Sequence, residues 1–287
     1  MMGNGSMDMS EATDEEIATV RRRQPLLDRQ YVRRALPWLV IALFFLVWEI
    51  AVRTFAIPEF VLPAPSAIFA AGWEWRAAIL DNAWQTLFTT VVGFAIAIVF
   101  GVLAGVAVGS STLVYDSFYP ALIGFNSIPK VAIVPILVIW FGIGTVPAVI
   151  TAFLISFFPI LVNVATGIAT LEPELRDVLR ALGASRRQVI MKVGLPRAMP
   201  YFFASLKIAM TVAFIGSIVS ETVAANKGIG HLMLVASSRF EVPLAFAALL
   251  VTGVMGVGMY VIAGAFERRM TGWSVRGIEG VGLIPQG

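Results

Sequence analysis

The pattern of hydrophobic and polar positions divides the chain into six long apolar runs separated by shorter polar segments. The runs cover about residues 37–55, 83–108, 114–142, 145–168, 201–222 and 243–266. Each is long enough for the roughly 20 apolar residues that an α-helix needs to cross a bilayer. The sequence therefore predicts an all-α, polytopic membrane protein with six transmembrane helices in one domain, residues 35–270.

The third run differs from the others because it is too long for one simple crossing and contains Pro129 and Pro135. We predict a helix to about Phe125, a break over residues 126–130 and a second helix to Phe141. Non-helical backbone at membrane depth is tolerated only inside protein or beside a water-filled cavity. The break is therefore the first indication of a solute pathway.

The second run carries a stripe of small residues. It contains Gly93, Ala97, Gly101, Gly105 and Gly109, one at every fourth position. Such a stripe lets another helix approach closely. The pattern favours packing within the chain, with a dimer seam as the alternative.

The polar segment 172–200 separates the fourth and fifth runs and predicts two short helices. Pro173 suits the first turn of a helix, and Gly183 can take the left-handed conformation that ends it. An apolar face with spacing i, i+3, i+4, i+7 comprises Leu175, Val178, Leu179 and Leu182. Ser185 is a plausible N-cap of a second helix through Val193. We expect Pro196 and Pro200 to break the chain before the fifth run.

The apolar face of this segment allows two interpretations on physical grounds. An amphipathic helix can bury its apolar side in a groove of a partner protein. Alternatively, it can lie on the membrane surface, held by anionic lipid with about 1 kcal/mol for each basic residue. The residues alone leave both interpretations open.

Composition supports the membrane assignment and excludes several kinds of chemistry. The 287 residues are 58% hydrophobic and 14% charged, with no cysteine and one histidine, His231. Disulfides, thiolate catalysis and cysteine metal sites are thereby excluded, and a single histidine cannot form a metal site alone. No phosphate-binding GxxxxGK[ST] loop occurs. We therefore expect no catalytic residue, no metal and no cofactor. Basic residues cluster at the ends of the runs, so nucleic acid is not an expected partner.

The distribution of basic residues predicts the orientation. Arginines and lysines concentrate in the segments before the first run, in the 172–200 segment and after the last run. Because cytoplasmic segments carry the excess of positive charge, both termini are expected in the cytoplasm. Residues 1–34 and 271–287 then form cytoplasmic tails, and 172–200 a cytoplasmic loop.

Several motifs resemble one family. The stretches LPAPSAI, SIPKVAIVPILVIWFGIG and SETVAANKGIGHLM look like type I ABC importer permeases of the nitrate, taurine and alkanesulfonate subgroup. The 172–200 segment resembles the cytoplasmic "EAA" loop of these permeases, with matching positions Asp177, Gly183, Val193, Leu195 and Pro196. The loop departs from the family in one respect, because Asp177, Val178 and Leu179 replace Glu-Ala-Ala.

The resemblance implies an importer assembly in the bacterial inner membrane. The expected partners are two ABC ATPase subunits, a second copy of the permease, a soluble or lipid-anchored substrate-binding protein and membrane lipid. ATP would be hydrolysed by the partner, and a small anionic or aromatic, heterocyclic solute would move inward by alternating access. The implied ATPase-docking residues are Glu174, Leu175, Asp177, Val178, Leu179, Ala181, Leu182, Gly183, Ala184 and Ser185.

Polar residues within the runs are candidates for the pathway or its gates. They are Asn126, Ser127, Pro129, Lys130, Asn163, Thr166, Ser217, Ser220 and Glu221. Each also has a simpler interpretation: hydroxyl groups in spans often bond to their own helix backbone. Lys130 could pair with a helix-end carbonyl, and Glu221 could bond to a neighbouring span rather than hold a gate. Glu49 is expected to brace the first span, and Lys207 to extend towards the headgroups.

A second function class remains open at this point. A secondary transporter or channel would need no ATPase, and such proteins commonly contain inverted repeats and chains of acidic residues inside the membrane. The sequence shows neither feature. A membrane-embedded enzyme is the weakest alternative because no catalytic constellation is present.

Overall fold

The structure, a computed structural model, describes residues 30–170 and 173–279, and its regular secondary structure there is entirely helical. The helices are α1 Gln30–Thr54, α2 Pro65–Glu74, α3 Arg76–Gly109, α4 Thr112–Ser127, α5 Val134–Phe141, α6 Thr145–Ala169, α7 Pro173–Ala181, α8 Arg186–Val189, α9 Leu195–Ala224, α10 Ile229–Ser238 and α11 Val242–Glu279. A 3-10 turn, Lys130–Ile133, precedes α5, and a π-helical turn, Ile190–Gly194, precedes α9.

The described residues contain five helices long and apolar enough to cross a membrane, or six when the bent pair α4–α5 counts as one span. This confirms the predicted all-α membrane fold. Residues 1–29 and 280–287 of the predicted tails, and Glu172 of the loop, lie outside the described residues.

The chain divides into two units, and the first comprises the residues up to Pro58 together with Ala64–Ser66. Its described part is mainly α1, an apolar helix whose side chains are largely exposed. Glu49 accepts hydrogen bonds from the Ser66 backbone N–H (3.0 Å) and hydroxyl (2.8 Å) and from Arg53 Nε (2.6 Å). Because the first N–H groups of a helix lack partners within it, Glu49 supplies the acceptor that the Ser66 N–H would otherwise lack.

The second unit is built on three helices, α3, α6 and α9. Its buried core includes Phe94 and Ala97 of α3, Ile160 and Val164 of α6, and Phe203 of α9. The helices α3 and α6 run parallel, because glycines along α3 meet α6 residues in the same order. The small-residue stripe therefore packs within the chain, as the sequence favoured.

The closest approach of α3 and α6 lies along that stripe. A Cβ atom added to Gly105 would lie 2.7 Å from Cβ of Val164 and 2.8 Å from the Leu161 carbonyl oxygen. One added to Gly101 would lie 2.9 Å from Cβ of Ile160. These separations are too short for ordinary van der Waals contact, so the two helices can pack this closely only without side chains on α3.

The substitution Gly105→Ala is accordingly expected to lower the free energy of unfolding by about 1–3 kcal/mol, because α3 and α6 must separate. The matched control is Gly253→Ala on α11, where no heavy atom lies within 4 Å of the added Cβ. There the substitution should stabilise slightly, since glycine in a helix costs about 0.5–1 kcal/mol relative to alanine. Unfolding in detergent, followed by circular dichroism, gives both values, and equal values would contradict this packing.

Several helices extend beyond the apolar runs that the sequence predicts as spans. The helix that contains the second run already begins at Arg76, before residue 83, and the helix that contains the sixth continues to Glu279, past residue 266. Both helices extend past their apolar runs into polar sequence, so hydrophobicity alone underestimates their length. The fifth begins at Leu195, so Pro196 and Pro200 do not break the chain. Pro196 lies in the first turn of α9, where a missing N–H costs nothing.

Candidate functional site

The loop between α6 and α9 is folded by local hydrogen bonds. At the end of α7, the Gly183 N–H donates to the Arg180 carbonyl (2.9 Å) and the Ala184 N–H donates to the Leu179 carbonyl (3.0 Å). Gly183 has φ +83°, the left-handed conformation that this type of helix end requires. The orphan carbonyl groups of the last turn are thus satisfied, and α7 has a fixed end.

The start of α8 is fixed by a reciprocal pair of hydrogen bonds. The Gln188 N–H donates to Ser185 Oγ (3.3 Å), and the Ser185 N–H donates to Gln188 Oε1 (2.8 Å). This is a capping box, in which two N–H groups of the first turn find side-chain acceptors. Ser185 is therefore the N-cap that the sequence predicts.

The apolar face of α7 remains largely exposed. Val178 is 56% exposed and Leu182 is 79% exposed, whereas Leu175 and Leu179 are half-buried. A cavity of about 280 Å³ adjoins this ridge between the two short helices and is lined by Leu179, Leu182, Gly183, Ala184, Gln188, Val189, Lys192 and Val193. The exposed ridge thus adjoins a cavity whose lining combines apolar side chains with the polar side chains of Gln188 and Lys192.

The loop is attached to the core at its second half. Val189 is buried, and Gly194 lies against Ile168 at the end of α6. Further along, a Cβ atom on Gly167 would lie 2.9 Å from Cα of Ala198, so α6 and α9 touch closely there. The second half of the loop is therefore packed against the end of α6 and the start of α9. We call this end of the helices the loop end and the opposite one the far end.

The break between α4 and α5 lies about halfway along α6. Tyr115, in the first turn of α4, bonds to Thr166 near the loop end of α6 (3.1 Å). The turn after α5 reaches the far end, where the Gly144 N–H donates to the Ala224 carbonyl (3.1 Å). Between these two points the chain bends by 70°. The non-helical residues fall inside the predicted segment 126–130, at mid-depth of the helices.

Lys130 occupies this break. Its Nζ donates to the Asn126 backbone carbonyl and to Asn126 Oδ1, both at 3.0 Å. It also lies 5.7 Å from the ring centroids of Phe125 and Phe158. The ammonium group thus closes the carbonyl end of α4 and faces two aromatic rings, an arrangement that stabilises a cation.

The other predicted pathway residues fall into separate places. Ser127 and Asn163 donate to carbonyl groups of their own helices, those of Ile123 (3.1 Å) and Pro159 (2.8 Å). Ser217 and Ser220 are buried, and their hydroxyl groups have no hydrogen-bond partner among the described residues. Pro129 is exposed at the break. The structure brings Asn126 and Lys130 together but leaves Glu221 in a different network.

Glu221 is 1% exposed and lies where α3, α9 and α10 meet. Its carboxyl oxygens accept hydrogen bonds from Thr86 Oγ1 (2.7 Å), Thr89 Oγ1 (3.1 Å) and the Gly230 N–H (3.2 Å). The preceding amides are also held, because the Ile229 N–H donates to Thr86 Oγ1 (2.8 Å) and the Gly228 N–H to Asn82 Oδ1 (2.8 Å). Three successive N–H groups at the start of α10 are therefore bound by side chains of α3 and α9.

Sequence reasoning missed the partners of Glu221 and the ion pair between Lys207 and Glu267. Lys207 does not simply extend towards the headgroups, since its Nζ lies 2.6 Å from Glu267 Oε2 on α11. The partners of Glu221 were indicated in the sequence by the spacing of Thr86 and Thr89. This spacing places two hydroxyl groups on one face of an otherwise apolar helix.

Comparison with known proteins identifies a family. Residues 97–272 match the family described as binding-protein-dependent transport system inner membrane component. The chain is 31% identical to the riboflavin transport system permease protein of Chloroflexus aurantiacus, over 81% of this chain and 88% of that protein. It is 26% identical to the taurine transport system permease protein of Escherichia coli, over 81% and 87%.

A solved structure shares the fold. The inward-facing MetNI methionine ABC transporter contains a chain that superposes with a TM-score of 0.59 at 18% identity. The match covers 69% of this chain and 98% of that chain. The helical arrangement is therefore that of a known transporter subunit.

Proposed function

The chain belongs to the family of binding-protein-dependent transport system inner membrane components and is an ABC importer permease, and we propose that it moves a small solute inward by alternating access. It is a multi-pass protein of the inner membrane. We place the loop 173–194 and both termini in the cytoplasm. The excess of arginine and lysine in the loop and near the termini supports this orientation.

The loop is the site at which we expect ATPase subunits to dock. The observation that supports this most directly is the exposed ridge of Val178 and Leu182 beside a cavity, at the end of a helix fixed by its own hydrogen bonds. A preformed ridge of this kind suits insertion into a partner's groove. In this proposal two ATPase subunits hydrolyse ATP, the permease is not itself catalytic, and a second copy of the permease completes the assembly.

The solute pathway is proposed to pass the break between α4 and α5. Discontinuous helices near mid-membrane are the usual surroundings of transported solutes. A charge at that depth costs a few kcal/mol and is seldom retained without a function. Asn126, Ser127, Pro129 and Lys130 lie at this break, and Asn163 and Thr166 follow towards the loop end. Ser217, Ser220 and Glu221 belong in this proposal to the far-end gate.

The break supports a solute that is anionic or an aromatic heterocycle. The Lys130 ammonium group can attract an anion, and the rings of Phe125 and Phe158 can stack on a flat molecule. The names of the two relatives, a riboflavin and a taurine permease, span the same two classes. A soluble or lipid-anchored binding protein would deliver this solute to the far end.

Transport by the reconstituted assembly tests the proposal. In liposomes that contain the permease, its ATPase subunits and its binding protein, uptake of the binding protein's ligand is expected to require ATP on the loop side. A hydrolysis-deficient ATPase is the control and should abolish uptake. Uptake by the permease alone, driven by an ion gradient, would instead favour a secondary transporter and contradict the importer mechanism.

A further inference from the structure

A cleft between α9 and α11 runs from the middle of these helices towards the loop end. The part of the cleft near the middle of the helices is an apolar cavity of about 250 Å³, lined by Thr211, Phe214, Gly256, Val257, Met259 and Tyr260. The cleft depends on the absence of a side chain at Gly256, because a Cβ atom there would come within 3.2 Å of the Phe214 ring. Apolar cavities of about 150 Å³ stay dry and bind apolar molecules, so a chain of methylene groups is a suitable occupant here.

The loop end of the same cleft is charged. Lys207, one turn before Thr211 on α9, has its Nζ 2.6 Å from Glu267 Oε2 and 5.4 Å from the ring centroid of Tyr260. Arg268 joins this group across Gly264: a Cβ atom on that glycine would lie 3.3 Å from Lys207 Cε and 3.9 Å from Arg268 Nη1. Arg269 follows, exposed.

The charges and the cavity lie along one line. On α9, Lys207, Thr211 and Phe214 are spaced i, i+4, i+7 and therefore share a face. On α11, Gly256, Tyr260, Gly264 and Arg268 are spaced by four residues and face them. Lys207 is paired with the carboxylate of Glu267, and Arg268 beside them makes the local charge positive. An apolar slot ending in positive charge matches the shape of an anionic phospholipid.

We infer that the cleft between α9 and α11 is a binding site for an anionic phospholipid, with an acyl chain beside Gly256 and the phosphate group at Arg268 and Lys207. Basic pockets between helices on the cytoplasmic side are suited to anionic headgroups. The assignment of this lipid to the inner leaflet rests on the orientation proposed above, whereas the binding itself does not. Since α9 continues directly from the loop, lipid at this site would brace the helix nearest to the docking surface.

Native mass spectrometry of the delipidated full-length permease tests the site. Dioleoyl phosphatidylglycerol is expected to bind at least about fivefold more tightly than dioleoyl phosphatidylcholine, because each basic group near a headgroup contributes about that factor. Arg268→Gln leaves the Lys207–Glu267 pair intact and should lower phosphatidylglycerol affinity about fivefold without changing phosphatidylcholine binding.

The apolar half of the site has its own variant. Gly256→Leu fills the cleft and should weaken binding of both lipids at least threefold, whereas Gly253→Leu on the same helix meets open space and should leave both unchanged. Equal affinity for the two lipids, or unchanged binding in Gly256→Leu, would overturn the inference. So would disulfide formation between two permeases carrying Val257→Cys, because a second copy would then occupy the cleft; the chain has no other cysteine. ATP-driven uptake is measured separately, so failure of the lipid site leaves the importer function untouched.

Discussion

Leu182→Glu is expected to abolish recovery of the ATPase subunits with the permease and, with it, ATP-driven uptake. Leu182 is 79% exposed and stands beside the cavity of the loop, so in the proposed assembly it enters the partner's groove. A carboxylate buried there without a partner costs about 3–5 kcal/mol, which corresponds to at least about a 100-fold loss of affinity. Pull-down of tagged permease from membranes, followed by quantification of the bound ATPase, measures the effect.

The matched control for this variant is Arg180→Gln. It changes the net charge by the same amount only two residues away, but its side chain points about 200° around the helical direction from that of Leu182. The end of the helix is preserved, because the Gly183 N–H bonds to the backbone carbonyl of Arg180 and not to its side chain. Normal assembly is expected. If Leu182→Glu also assembles normally, the ridge lies on the membrane surface or elsewhere, and the docking proposal fails.

The loop was predictable in detail because its structure depends on residues close in sequence. Gly183 ends α7 in the left-handed conformation, and Ser185 with Gln188 starts α8. Each of these features needs only a few neighbouring residues, and the residue types are demanding: glycine for the positive φ and a short hydroxyl side chain for the cap. Nothing distant in the chain competes with them.

The prolines show the limit of the same local reasoning. Pro129 accompanies a real break, whereas Pro200 lies inside α9. In both places an N–H is missing from the backbone. What differs is the surrounding chain. At Pro129 the helix turns by 70°. Pro200, in contrast, lies just after a π-helical turn, in a part of α9 that is packed closely against neighbouring helices. Packing against α6 therefore decides the outcome, and the local sequence does not contain that information.

Glu221 was recognised as a candidate, but its partners could not be predicted. Thr86 and Thr89 are separated from it by 135 and 132 residues along the chain. Which of several polar groups in apolar helices meet depends on the rotation and register of those helices. That register is set by contacts such as Gly93 against Ala152, in which only small size matters. The sequence thus shows that a buried carboxyl needs donors without showing which donors it has.

Glu221→Ala is expected to release the start of α10 and to lower the free energy of unfolding by about 3 kcal/mol. Thr86 and Thr89 have replacement acceptors, the carbonyl groups of Asn82 (3.2 Å) and Thr86 (3.0 Å). The Gly230 N–H has no other acceptor among the described residues, and an unsatisfied buried donor costs about 1–3 kcal/mol. The space vacated by the side chain adds to this cost. Hydrogen exchange at the Gly230 amide should accelerate about 100-fold relative to the wild type.

Two further variants distinguish the loss of hydrogen bonds to Glu221 and α10 from the effect of changing a buried threonine. Thr86 and Thr90 are fully buried, one turn apart on α3, and both change to valine without a change of shape. Thr90 Oγ1 donates only to the Thr86 carbonyl of its own helix (2.7 Å), so Thr90→Val should cost little. Thr86→Val removes the acceptor of the Ile229 N–H and a donor to Glu221, and should cost about 1–2 kcal/mol more.

Combining Thr86→Val with Glu221→Ala completes a double-mutant cycle. Because both side chains hold the same end of α10, their effects should not add, with a coupling energy of about 0.5–3 kcal/mol. Additive effects, or equal costs for Thr86→Val and Thr90→Val, would show that the carboxyl merely fills space between α3 and α9. With coupling present, the start of α10 is held by a specific set of hydrogen bonds, and the far-end gate that we propose would open only by breaking them together.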